Sequence, residues 1–198
     1  MTALKAYEAL LAEKAIPLGL VAASDRDRIW DRHIADSLRA LAVLGEGDRS
    51  LLDLGSGAGL PGLPIAIARP SARISLIESR LRRVSFLEMV VDRLGLSNVD
   101  VVMGRAETIS VSADVCFARA FAIAADCWRI AERLLEPGGV LVYWAGLSWS
   151  RSDEALAAEA GACSEIVARG SPGKQGPLVM MSREGTVPRP RGNALRGA

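Results

Sequence analysis

Histidine and lysine are scarce: among 198 residues there is one histidine, His33, and three lysines, Lys5, Lys14 and Lys174. A lone histidine cannot build a histidine metal centre, and no Ser/His/Asp triad can be supported around it. Cysteine is also sparse. Cys116, Cys127 and Cys163 are odd in number, and no two are spaced C-x-x-C. This excludes a disulfide framework and a zinc knuckle. All three read as small buried hydrophobes in a reducing compartment. The N-terminus lacks the charged-then-apolar pattern of a signal peptide. The longest uncharged run, Leu54 to Ala68, is too short for a membrane span and is broken by Gly and Pro. A soluble, cytoplasmic, metal-free monomer is expected.

The composition is 50% hydrophobic and 24% charged, with a formal net charge of +1. Those values suit one globular domain with a proper core and say nothing about partners. The distribution of charge says more. From Arg169 to Ala198 there are six basic residues and a single acid, Glu184, which makes a basic tail on a neutral body.

The chain is organised around Leu51-Leu52-Asp53-Leu54-Gly55-Ser56-Gly57-Ala58-Gly59-Leu60-Pro61-Gly62. A short apolar run reads as a buried strand, alternating glycines follow, and Leu63 to Ala68 opens a helix. A strand, a glycine-rich turn and a helix N-terminus together cradle a nucleoside or a phosphate. Gly57-x-Gly59-x-x-Gly62 satisfies the dinucleotide pattern. Asp53-x-Gly55-x-Gly57-x-Gly59 fits the S-adenosyl-L-methionine pattern in full and sets its first glycine directly after the strand, so a methyl donor is favoured over a nicotinamide. Asp53 either orients the turn or contacts the ligand.

Before this strand, Leu4, Tyr7, Leu10 and Leu11 repeat at helical spacing. Ser24, with Asp27 three residues on, reads as the N-cap of a second helix that runs to Gly45-Glu46-Gly47. After the glycine turn, strands and helices alternate. Strands are expected at Arg73–Ile77, Val99–Met103, Asp114–Ala118 and Val140–Trp144. Helices are expected at Leu81–Leu94, closed by Gly95, at Ile123–Leu135, stopped by Pro137-Gly138-Gly139, and at Asp153–Ala160. A hairpin of Cys163–Ala168 and Leu178–Ser182 turns around Gly170-Ser171-Pro172-Gly173. This alternation predicts an α/β fold with a mostly parallel sheet, covered on both faces and joined by an antiparallel terminal strand.

In such a sheet the ligand lies beyond the carboxyl ends of the strands. The residues there are Gly55 to Leu60, then Glu78, placed to accept ribose hydroxyls, then Arg105-Ala106-Glu107, placed to flank a purine, then Arg119. A solvated loop charge explains any one of them; four in the right order favour a ligand site. His33 lies in the polar cluster Asp31-Arg32-His33-Ile34-Ala35-Asp36-Ser37, and its structural reading is a hydrogen bond to Asp36. After the fourth strand, Arg119-Ala120-Phe121 stands where Asp/Asn-Pro-Pro-Tyr/Phe would cradle an exocyclic amine. No Pro-Cys nucleophile is present either. A ring nitrogen such as guanine N7 carries a free lone pair and needs only in-line positioning, so no catalytic base is expected.

The segments Asp31–Leu38, Asp53–Gly62, Glu78–Leu87, Arg105–Glu107 and Ala118–Phe121 resemble the bacterial small-subunit rRNA guanine-N7 methyltransferases of the RsmG/GidB (glucose-inhibited division protein B) family. The resemblance runs from about residue 29 to residue 192. It implies a class I, Rossmann-like, S-adenosyl-L-methionine-dependent methyltransferase with N7 of guanosine 527 in 16S rRNA of the small ribosomal subunit as acceptor. It implies cofactor contacts at Gly55, Leu60, Ala106, Glu107 and Arg119; the strand-end reading adds Gly57, Gly59 and Glu78. Arg82, Arg83, Arg189, Arg191 and His33 are expected to face RNA. The expected division is a short N-terminal helical extension (1–48), a methyltransferase domain (49–183) and a basic Pro/Arg/Gly tail (184–198). The chain departs from the family at Pro17-Leu18-Gly19-Leu20, at Ala145-Gly146 and at Val187, all on the expected RNA side. Two other readings are a nicotinamide-dependent reductase and a non-catalytic cofactor- and RNA-binding assembly factor. The Tyr-x-x-x-Lys of a short-chain reductase is missing, since Tyr143 is followed at that spacing by Leu147.

Overall fold

A computed structural model describes residues 2–170 and 175–185. Seven strands form one sheet in the order β3-β2-β1-β4-β5-β7-β6. They are β1 (Ser50–Leu54), β2 (Arg73–Glu78), β3 (Val99–Met103), β4 (Ala113–Arg119), β5 (Leu135–Trp144), β6 (Ala162–Ala168) and β7 (Leu178–Arg183). β1 to β5 pair in parallel, while β7 runs antiparallel to both β5 and β6. The terminal hairpin therefore adds two strands, and the later one lies inside, against β5.

Helices cover both faces. α1 (Ala3–Leu10), α2 (Asp36–Leu38), α3 (Gly62–Ala68) and α4 (Leu81–Leu94) precede β3, and α5 (Ala124–Leu134) and α6 (Arg151–Glu159) follow β4 and β5. Side chains alternate along each strand, so one strand feeds two cores. Leu51, Val115, Phe117, Val140 and Val142 join α1, α3 and α4 in one cluster. Leu52, Cys116, Ala118 and Leu141 join Cys127, Trp128 and Ala131 of α5 in the other. Tyr7, Leu11, Ile29 and Ile34 from the N-terminal helices belong to the first cluster.

Several boundaries fall where local chemistry places them. α4 begins at Leu81 and ends on Gly95, whose φ of 62° suits glycine. Other expectations are corrected. The stretch after residue 22 is no continuous α-helix. A 3-10 turn (Ala23–Arg28), a π-helical turn (Trp30–Ala35), α2 and a second 3-10 turn (Arg39–Ala42) follow one another. Its first cap is Ala22 with no side-chain bond, so Ser24 does not act as the N-cap. Pro137-Gly138-Gly139 lies inside β5: Ala113 pairs with Leu135 and Val115 with Val140, so the intervening residues bulge out of register. Cys116 and Cys127 are buried, but Cys163 is exposed on β6, because strand alternation turns it away from Ala162, which is buried. Among the described residues, no helix is long and apolar enough to cross a membrane, and no group of three or more His, Cys, Asp or Glu side chains is placed to hold a metal ion.

Candidate functional site

A cleft of about 340 Å³ opens at the carboxyl ends of β1 to β4, where an open α/β sheet carries its ligands. Gly55, from the glycine turn, forms its floor. Ile77 and Glu78 end β2, Gly104 to Glu107 follow β3, and Ala120 and Phe121 follow β4. Ser79, Arg80 and Arg83 complete the wall at the start of α4.

The glycine turn is held by two buried carboxylates. Glu78, 3% exposed, is the first. Its Oε2 accepts the Gly57 N–H at 3.1 Å and the Arg83 Nη1–H at 3.3 Å. Its Oε1 accepts the Ser79 and Arg80 N–H groups at 2.9 and 3.0 Å. The carboxylate thus clamps the turn after β1 to the start of α4. Asp53, 1% exposed, is the second. Its Oδ2 accepts the Gly62 N–H at 3.0 Å, which fixes the entry into α3, and its Oδ1 has no hydrogen-bond partner among the described residues. Of the two roles considered for Asp53, the structure displays the turn-orienting one. Tyr7 reaches the same turn from α1 and donates its hydroxyl to the Ala58 carbonyl at 2.7 Å.

Burial raises the Asp53 carboxyl to about 7, against the lowering effect of its bonds from Gly62 and Ser56. The folded state therefore binds this proton more tightly than the unfolded chain does. The stabilising effect is full below about pH 4 and is lost as pH rises through about 7. An Asp53→Asn variant removes the titration while keeping an acceptor for Gly62. Its stability relative to the parent is expected to rise from pH 4 to pH 8, by up to about 4 kcal/mol. Denaturant midpoints across that range measure it; parallel profiles for the two proteins would refute the assignment.

Of the residues expected at the cofactor, the structure brings Gly55, Glu78, Ala106 and Glu107 to the cleft. Gly57 enters through its bond to Glu78. Gly59, at φ 92°, packs on Leu63, and Leu60 packs against the first core cluster. The Arg119 side chain turns from the cleft toward the N-terminal segment. It donates to the Arg32 and His33 carbonyls, to Ser37 Oγ and to His33 Nδ1. His33 pairs through Nε2 with Asp25 Oδ2 at 2.9 Å, not with Asp36. Asp25 reaches the ring from the first 3-10 turn, while the Asp36 carboxylate is paired with Arg39 and lies 3.5 Å from Arg119. Arg82 is exposed at the start of α4, whereas Arg83 is drawn to Glu78. Arg189 and Arg191 lie outside the described residues.

Sequence reasoning missed Phe121, Arg80 and the hydroxyl of Tyr7 as parts of this site. Phe121 packs so closely over Gly55 that a Cβ there would lie 2.4 Å from its Cδ2. Ala120, the one described non-glycine residue with positive φ, at 52°, makes the turn that brings Phe121 in. A non-glycine residue held in that region is a signal worth attention at a site, but it is a conformational signal that composition does not carry.

The cleft fits a nucleoside. Ile77, Ala106 and Phe121 give the cleft an apolar wall for a flat ring, and Glu107 presents a carboxylate for hydroxyl or amine donors, while the Glu78 oxygens are taken up by four donors of the chain itself. A side chain at position 55 would fill the floor. S-adenosyl-L-methionine carries those features, so the residues present suit it.

The ribosomal RNA small subunit methyltransferase G of Mycobacterium leprae (strain TN) is 45% identical to this chain over 141 residues, covering 69% of the chain and 57% of that protein. The chain thus spans little more than half the length of that relative. The protein of the same description from Neisseria meningitidis serogroup C (strain 053442) is 41% identical over 145 residues, 73% of this chain and 68% of that one. A solved SAM dependent methyltransferase from Aquifex aeolicus superposes with a TM-score of 0.63 at 17% identity, over 83% of this chain and 97% of that one. That likeness shows the fold alone, a Rossmann-like α/β sheet. The model of the GidB family, described as rRNA small subunit methyltransferase G, matches residues 1–169. With its glycine turn, strand-end cleft and sheet order in place, this chain belongs to the GidB family.

Proposed function

We propose that this protein transfers a methyl group from S-adenosyl-L-methionine to N7 of a guanine in small-subunit rRNA, the guanosine 527 of 16S rRNA that the sequence resemblance implies. The observation that carries the reading is the cleft itself: Gly55, Glu78, Ala106–Glu107 and Phe121 converge from four successive strand ends. Relatives named as ribosomal RNA small subunit methyltransferase G support the substrate class.

When bound, the cofactor supplies an electrophilic sulfonium methyl. The chain's own part is to bind and to orient. Glu78 holds Gly57, Ser79 and Arg80 in place, so the glycine turn and the start of α4 move as one. Ile77, Ala106 and Phe121 exclude water from the ring slot. Guanine N7 attacks with its own lone pair and loses no proton, so orientation suffices for the chemistry. Four large apolar side chains, Leu81, Met103, Ile123 and Leu147, stay exposed at or just past the ends of β2 to β5. They offer apolar surface to an unstacked base beside the cleft.

The experiment measures methyl incorporation from labelled donor into protein-free 16S rRNA and into small subunits from cells lacking the modification. Of the three arginines that line the cleft, Arg80, Arg83 and Arg105, Arg83 is already paired with Glu78, which leaves a small basic area, and phosphate contacts supply most sequence-independent RNA affinity. The structured subunit is therefore expected to be the better substrate, modified in the cytoplasm by a monomer. Equal rates on naked RNA would overturn the substrate preference. Cofactor binding with no incorporation on either would favour the non-catalytic reading.

A further inference from the structure

His33 lies between an acid and a guanidinium. Its Nε2 is 2.9 Å from Asp25 Oδ2 and its Nδ1 is 3.1 Å from Arg119 Nη2. A guanidinium has only donors, so Nδ1 must accept and the ring hydrogen must sit on Nε2, directed at Asp25. The geometry therefore selects one neutral tautomer. A second proton on Nδ1 would point an N–H at Arg119.

Arg119 does more than pair with the ring. Its guanidinium also reaches the Arg32 carbonyl at 2.9 Å, the His33 carbonyl at 3.3 Å and Ser37 Oγ at 3.2 Å, with Asp36 Oδ2 at 3.5 Å. Trp144 Nε1, at the end of β5, donates to the Asp36 carbonyl at 3.1 Å. The segment from Arg32 to Ser37 is thereby tied to the ends of β4 and β5. Arg119 is the last residue of β4, and the chain passes directly from it into Ala120 and Phe121, which line the cleft.

We infer that Asp25, His33 and Arg119 form a proton-operated latch: neutral His33, with its hydrogen on Nε2, holds Arg119 and so sets the Ala120–Phe121 wall, and protonation of His33 on acidification releases that hold and weakens ligand binding in the cleft. His33 is a positioning residue here, acting through Arg119. The charged groups facing the ring are Asp25, with Arg28 beside it, from the first 3-10 turn, Arg32 from its own segment and Arg119 from β4. Asp36, Tyr7 and Asp53 face Arg119 in turn. Burial, followed by the Arg119 cation, holds the imidazole below its ordinary range, with Asp25 opposing. The sign follows. The folded state disfavours the proton, so the latch is complete above about pH 6.5 and is lost as pH falls through the depressed value.

The cofactor arm of the test rests on the function proposed above; the spectroscopic arm does not. Because the chain has a single histidine, its imidazole ¹⁵N signals are unambiguous in the intact protein. The expected result is the Nε2–H tautomer with a midpoint below about 6.5. An Nδ1–H tautomer, or a midpoint at or above that value, would overturn the latch whatever the cleft binds. In the second arm, S-adenosyl-L-methionine affinity is measured by calorimetry at pH 5.5 and 7.5. The parent is expected to bind severalfold more weakly at pH 5.5 than at pH 7.5, because the protonated ring no longer accepts from Arg119. In His33→Asn the amide oxygen stands in for Nδ1 and does not titrate, so its affinity is expected to stay flat with pH. Identical pH profiles for parent and His33→Asn would sink the proposal. Absence of cofactor binding at both pH values, with the expected tautomer present, would overturn the proposed function and the latch's link to that cofactor, and leave the Asp25–His33–Arg119 tautomer lock established.

Discussion

A Glu78→Gln variant is expected to bind S-adenosyl-L-methionine about 100-fold more weakly than the parent and to melt at a lower temperature. The change is close to isosteric, so the loss is electrostatic. Glu78 is 3% exposed, and its two oxygens serve four donors: Gly57 N and Arg83 Nη1 on one, Ser79 N and Arg80 N on the other. An amide keeps only one of those oxygens. Whichever way it is flipped, its NH₂ meets two N–H donors that it cannot satisfy. Each hydrogen bond to a charged group is worth about 1.5–3 kcal/mol, and an orphaned buried donor costs a further penalty. Losing two of them therefore exceeds the roughly 2.7 kcal/mol that separates a 100-fold change in affinity. The loss falls on the cleft because Glu78 and Arg80 both line it and Glu78 ties the glycine turn to the start of α4. Calorimetric titration of the variant is decisive: affinity within about threefold of the parent would show that the clamp has no part in ligand binding.

Gly55→Ala is the second large effect. Gly55 has φ of 67°, and a Cβ there would sit 2.4 Å from Phe121 Cδ2 and 3.0 Å from Cε2. The left-handed backbone costs a non-glycine residue about 1–2 kcal/mol. Overpacking adds about 1–3 kcal/mol unless the ring moves. The ring can move only by giving up its place in the cleft wall. The expected outcome is a loss of cofactor affinity of roughly 100-fold with a moderate fall in melting temperature of about 5–10 °C. Phe121→Ala in the same chain removes the clash and should return part of the stability, though not the affinity. A double-mutant cycle separates the two contributions, since residues in contact are expected to be non-additive. Gly47→Ala is the control. Gly47 is exposed and nothing lies within 4 Å of the added carbon, so its effect should stay within about 0.5 kcal/mol. Equal behaviour of the two alanine variants would remove Gly55 from the site.

The two variants test parts of the molecule that differ in how far they could be read from the chain. The spacing Asp53-x-Gly55-x-Gly57-x-Gly59 announced a ligand turn, and the residues beyond β2 and β3 followed from the rule that ligands lie past strand carboxyl ends. Glu78, Ala106 and Glu107 do line the cleft. Phe121 was passed over because its role depends on Ala120 turning with positive φ, and alanine gives no sign of that in sequence.

Local periodicity and punctuation determined most of the elements. β3 and α4 begin and end at the residues their apolar pattern and Gly95 mark, because backbone hydrogen bonding, side-chain alternation and left-handed caps are short-range effects. Tertiary structure alone decided three things. It placed β7 between β5 and β6, a choice among sheet edges with no local signature. It moved Pro137-Gly138-Gly139 from a helix stop into a bulge of β5, since that strand needed Leu135 opposite Ala113. It also chose the partners of the buried polar groups. Asp25 reached His33, and Arg119 turned to the Arg32–Ser37 segment, because a buried donor must find whichever acceptor the packed chain brings within 3 Å or so, however far away it lies in sequence.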